Sequence, residues 1–256
     1  MRKKTIFSVI SAIIFMSSFT VHADLIPDDM HQFISNNPDG QKYDFVKHYL
    51  NSLTYVKENE DRQSEQIQSI ISLNEMQRLM LVKNNLALDN TNLRVARNFL
   101  KQYQLADNGL MLKAVELFTE FCDEMIELNM REKTILQEWM KKINLDDITV
   151  EAQQMFLESQ QILAAKRKES QQKLLQASLF VQKILISENT NSQGEFVYLG
   201  VNQEERQKLL RLLQLFEGQK FKGPIREGQS FLQASISAIR EVLTNGRFSA
   251  LESSNI

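Results

Sequence analysis

The sequence predicts an all-α protein: an antiparallel bundle of long helices with a C-terminal helical hairpin packed on it. Three observations carry this reading. No proline occurs between Pro38 and Pro224, and a stretch of that length without the residue that breaks helical hydrogen bonding reads as helix. The chain of 256 residues holds 8 Gly and 3 Pro, too few for the turns of a β-sandwich. Apolar residues recur at intervals of three and four, the spacing that lines one side of an α-helix. At 43% hydrophobic and 24% charged residues, the chain has the composition of one or two folded domains.

The first residues read as an address. Arg2, Lys3 and Lys4 precede a mostly apolar run from Ile6 to Phe19, and Val21-His22-Ala23 puts small residues where a signal peptidase reads. The run is shorter than the roughly 20 residues a membrane-spanning helix needs. Residues 1–23 are therefore expected to be a signal peptide cleaved between Ala23 and Asp24, leaving a periplasmic or secreted protein. The short Lys-rich start reads as bacterial. Cleavage removes three of the 30 basic residues and none of the 32 acidic ones, leaving 27 against 32, a formal −5. That balance argues against nucleic acid as a partner, which calls for a basic stripe. No later apolar run is long enough to span a membrane, so no transmembrane segment is expected after cleavage.

Residues 24–40 read as an irregular arm with a short helix at Asp28–Ile34. Pro38-Asp39-Gly40 is a turn signal, since Pro sets one φ and Gly tolerates a positive one. A long-helix bundle follows over residues 41–187. Phe45, Val46, Tyr49, Leu50, Leu53 and Val56 start a helical stripe that stops at residues 57–66, which carry no apolar side chain. The preferred reading is two helices joined by a polar turn there, with Ser64 as N-cap; the other is one helix with a solvated middle. Asp89-Asn90-Thr91-Asn92 marks a boundary and a new N-cap, because these short polar side chains compete for backbone hydrogen bonds. A helix over Leu93–Leu105 ends at Asp107-Asn108-Gly109. The clearest helix spans Leu110–Ile143, roughly 50 Å at about 1.5 Å per residue. After a corner at Asn144–Asp147, a further helix runs over Thr149–Ser187, with a second polar gap at residues 166–173.

Residues 188–195 are the best linker, and residues 196–256 the C-terminal hairpin, expected in the same globular body. Phe196-Val197-Tyr198-Leu199-Gly200-Val201 is the one strand-like run. Asn202 and Glu205 have the form of a capping box opening a helix that Gly218 ends. Phe221-Lys222-Gly223-Pro224 turns into a last helix at Arg226–Thr244.

Few residues offer chemistry. Cys122 is the single thiol; mid-stripe between Phe118 and Met125, it reads as a buried small hydrophobe. Glu116, Glu120, Asp123 and Glu127 share one helix face, but the Glu-x-x-His motif that completes a bundle di-metal site is missing, so they read as a solvated row. Asp44 and His48, one turn apart, read as a surface ion pair, and His31 near Asp28 likewise. No phosphate loop, zincin motif or nucleophile elbow occurs. No catalytic residue, metal or cofactor is expected. The 10 Met and 15 Phe read mostly as core.

These observations point to an exported, non-enzymatic helical protein that binds another protein. Phe196, Tyr198 and Phe221 are the candidate partner-binding residues, as aromatics beside a linker and a Gly-Pro turn. The alternatives are an envelope glycan-acting hydrolase using a carboxylate pair, and an apolar-ligand carrier or membrane-active helical protein.

Overall fold

Two helix starts are written locally. Asn74 Oδ1 accepts the Gln77 N–H at 2.9 Å while Gln77 Oε1 accepts the Asn74 N–H at 3.1 Å, a reciprocal capping box. Thr149 Oγ1 accepts the Ala152 N–H at 3.1 Å, satisfying a donor that has no partner inside the helix.

The structure, a computed structural model, describes residues 38–69, 73–103, 109–145, 148–186, 201, 203–218 and 227–245. Those residues form six helices and no strand. They are α1 Pro38–Ser69, α2 Glu75–Lys101, α3 Gly109–Asn144, α4 Val150–Leu185, α5 Gln203–Gly218 and α6 Glu227–Asn245. The expected signal peptide, the linker 188–195 and the aromatic run Phe196–Leu199 lie outside the described residues.

Paired contacts give the direction of each helix. Ser52 reaches Ala96 and Asn59 reaches Asp89, so α1 and α2 are antiparallel. Asn90 pairs with Asn129 and Arg97 with Asp123, which makes α2 and α3 antiparallel. Glu132 meets Arg167 and Glu120 meets Lys173, and the same holds for α3 and α4. Tyr49 closes the bundle by bonding Ser178 of α4 at 2.7 Å. The C-terminal hairpin packs on this bundle as the sequence predicts. Arg206 of α5 donates to the Leu243 and Thr244 carbonyls at 2.6 and 2.7 Å, satisfying two of the four orphan acceptors at the end of α6. Leu209, Leu213, Leu232, Ile239 and Leu243 of the hairpin join Phe45, Leu53, Phe118, Leu174 and Val181 in a single apolar core.

Three readings of the sequence are corrected. The polar run 57–66 is not a turn: α1 passes through it unbroken, Ser64 is buried mid-helix, and the break comes after Ser69. Asp89-Asn90-Thr91-Asn92 is no boundary either, since it lies inside α2. Pro38-Asp39-Gly40 belongs to the first turn of α1, where a proline loses nothing because its absent N–H would have no helical partner. In the first two cases polar side chains such as Asn59, Arg62, Gln63, Asp89, Asn90 and Asn92 found partners on other helices, while Thr91 bonds the Ala87 carbonyl of its own helix. The second polar gap, 166–173, lies within one continuous helix.

Candidate functional site

The three polar runs meet. Residues 57–66 of α1, 89–92 of α2 and 166–173 of α4 face one another with Asn129 and Glu132 of α3, forming a buried polar layer across the bundle. Asp89, 1% exposed, is its centre. Arg62 Nη1 donates to Asp89 Oδ1 at 2.5 Å and Gln63 Nε2 to Oδ2 at 2.9 Å, while Asn59 Nδ2 donates to the Asp89 carbonyl at 3.0 Å. On the other side Arg167 Nη2 donates to Asn129 Oδ1 and to the Glu132 carboxylate, and Asn129 Nδ2 donates to Asn90 Oδ1 at 2.8 Å. Buried polar groups persist only when such partners replace water. Burial still raises the Asp89 carboxyl above its ordinary value, against the opposing pull of Gln63 and Arg62.

The layer extends to α6. Gln229 Nε2 donates to Ser64 Oγ at 3.1 Å. Gly228 sits so close to the layer that an added Cβ would stand 2.3 Å from Glu60 Oε1 and 2.5 Å from Gln171 Nε2. An added methyl there would have to push these two side-chain ends aside, and the Glu60 carboxylate lies at the positive N-terminal end of α6.

A cleft of about 200 Å³ opens in the layer between Gln63 and Gln66 of α1, Asn85 and Asp89 of α2, Glu132 of α3 and Arg167 of α4. It presents two carboxylates, three amides and a guanidinium. Both Asp89 oxygens are already engaged, and Glu132 is held by Arg167. Among the described residues no group of three His, Cys, Asp or Glu side chains is placed to hold a metal ion.

Beyond the layer the bundle changes character. The far end holds a small cluster in which Trp139 stacks on Phe156 at 4.9 Å and its Nε1 donates to Glu75 at 3.4 Å. Every exposed large apolar side chain among the described residues lies at or past the layer: Met80 and Leu88 on α2, Met130 on α3, Leu145 and Ile148 in the α3–α4 connection, and Val150, Met155, Leu157 and Ile162 on α4. α6 starts abreast of Gln171, so among the described helices the first half of α4 lacks that neighbour, while Ala152 and Leu163 stay buried and Phe156 packs on Trp139. No described helix is long and apolar enough to cross a membrane.

The chain matches no protein-family model, no curated protein and no solved structure.

The residues singled out in the sequence are distributed as follows. Cys122 is fully buried in the core, and burial pushes its thiol well above the ordinary value. The acidic row is exposed and paired: Glu116 with Lys113, Glu120 with Lys173, Asp123 with Arg97, Glu127 with Arg131. His48 is not a surface partner of Asp44. It packs over Phe99, and its Nδ1 lies 2.9 Å from Tyr103 Oη and 3.1 Å from Gln102 Nε2. Phe196, Tyr198 and Phe221 lie outside the described residues. Sequence reasoning missed the polar layer and the exposed apolar side chains in the first half of α4. The first had a signal, three polar runs interrupting otherwise continuous stripes. The second had one too: apolar residues on more than one side of α4 before residue 165.

Proposed function

We propose that the chain is an exported, non-enzymatic helical protein that binds another protein in the bacterial envelope or outside the cell. The uncovered apolar end is the observation that carries this reading. Burying an exposed aliphatic or Met side chain is worth about 1.5–3 kcal/mol, and contiguous bare patches on a folded surface mark contact sites. Met80, Met130 and Met155 give this end an adaptable surface, because an unbranched thioether repacks against varied shapes. Met155 and Ile162, two helical turns apart, offer the seat for an amphipathic helix of the partner. The leader-like residues 1–23 support the compartment. Phe196, Tyr198 and Phe221 stay in the proposal as a second contact.

A photo-cross-linker placed at Met155 tests it in the native host. The expected result is an adduct with another polypeptide that is missing when the cross-linker stands at exposed Gln176. Equal or no labelling at the two positions sinks the reading.

A second reading, glycan hydrolysis, draws on Asp89 and Glu132 sharing one cleft, since an acid pair of this kind needs no sequence motif. It requires a carboxyl group open to substrate. Release of soluble fragments from cell-wall glycan, lost in Glu132→Gln, supports it; no release by the wild-type chain removes it.

A further inference from the structure

We propose that His48 of α1 is a pH-sensitive latch on the C-terminal end of α2, closed by the neutral imidazole and released when the ring takes up a proton. The geometry first decides which ring nitrogen carries the hydrogen. Gln102 Nε2 stands 3.2 Å from the Phe99 carbonyl and 3.1 Å from His48 Nδ1. A carbonyl only accepts, so it fixes the nitrogen end of the amide toward both groups. The amide has two N–H bonds, one for each acceptor, and Nδ1 can take the second only while it is unprotonated. Tyr103 Oη lies 2.9 Å from the same nitrogen. The ring is therefore held as the tautomer with its proton on Nε2.

Protonation changes these contacts unequally. The Tyr103 hydroxyl can rotate and accept from the new Nδ1–H. It keeps its ring edge-on against buried Phe45, so the release stays local. The Gln102 amide has no such freedom. Two donors would meet at 3.1 Å, and turning the amide over would set its oxygen against the Phe99 oxygen. Gln102 is the C-cap of α2, and its side chain closes one of the last four carbonyls, which lack a helical donor. Driven from the ring, it frees the last turn to fray. Among the described residues, the charges on the helix of His48 that act on the ring are Asp44 and Lys47. Burial disfavours the charged ring and holds it below the ordinary 6.5, Asp44 pulling the other way and Lys47 adding to the effect. From α2 the ring meets the Tyr103 hydroxyl, while Arg97 is bound to Asp123 and Arg94 and Lys101 are exposed.

Hydrogen exchange of the full chain tests this, with exposure times scaled for the intrinsic pH dependence of amide exchange. Between about pH 7 and about pH 5, either side of the ordinary imidazole range, the amides of residues 98–102 should lose protection several-fold, while those of residues 115–128 in α3 keep theirs. Ring-nitrogen NMR near neutral pH should show His48 Nδ1 bare and Nε2 protonated. His48→Gln should abolish the loss, since its amide takes up no proton. Gln102→Glu should reverse it, because a carboxylate accepts from the imidazolium and holds the turn more firmly in acid than at neutral pH. Full protection of the wild type in acid, a protonated Nδ1 at neutral pH, or a loss that persists in either variant overturns the proposal. If His48→Gln does not fold, Gln102→Glu decides by itself.

Discussion

Arg62 of α1 closes on Asp89 of α2 at 2.5 Å, a guanidinium still a quarter exposed holding a carboxylate that is almost wholly buried. The pair ties two helices together at the point where the hydrophobic stripes of both are interrupted. Its worth lies less in attraction than in the cost of separating the partners, because an unpaired charge at this depth has no water to turn to.

Asp89→Leu should therefore lower the unfolding free energy by about 3 kcal/mol, near the lower end for a broken buried pair, since Arg62 keeps part of its hydration. Adding Arg62→Met should restore a large part of that loss, because it removes the stranded cation. Urea unfolding of the wild type, the single variant and the double variant checks both. A double variant weaker than the single one would show that the pair is not the source of the loss.

Gly228→Ala should destabilise by about 1–2 kcal/mol, as the new methyl displaces the buried Glu60 carboxylate and Gln171 amide from their places. Gly109→Ala is the control. Nothing lies within 4 Å of a Cβ there, and the substitution should be neutral or stabilising by up to about 1 kcal/mol. The two thermal midpoints should move in opposite directions or differ by several degrees.

Cys122 should resist a thiol reagent in native buffer and react fully in denaturant, since its thiol is buried and held protonated. The rate of labelling then reports opening of the core around Phe118 and Phe121. Fast labelling of the folded chain would contradict the packing described.

Acidification should weaken the fold through His48. Burial holds its imidazole below the ordinary 6.5, outweighing the pull of Asp44 and aided by Lys47. Below about pH 6.5 the unfolded chain takes up a proton that the folded chain refuses, so stability falls with pH in that window. Asp89 acts with the opposite sign, because its raised carboxyl takes up a proton sooner when folded, but in a more acidic range around and above 3.8. Thermal midpoints at about pH 7 and about pH 5.5 should therefore drop more for the wild type than for His48→Gln. An equal drop would remove His48 from the account.

The sequence by itself determined that this chain is helical, where most of its helices run, and which residues line its core. Helical periodicity and the lack of proline are local properties, so Leu110–Ile143 could be read to within a residue of α3, and the stripe from Phe45 to Val56 named the core face of α1. What only the tertiary structure decided was the meaning of the polar runs. In one dimension Lys57–Gln66 and Asp89–Asn92 look like turns, because a polar stretch is ordinarily a solvated one. In three dimensions Arg62 meets Asp89 and Arg167 meets Asn129 and Glu132, partners from distant parts of the chain, and their helices continue without a break. The bare face at Val150 and Leu157 is of the same kind. It is apolar in the sequence like any core face, and among the described helices α6 starts too far along to lie against it.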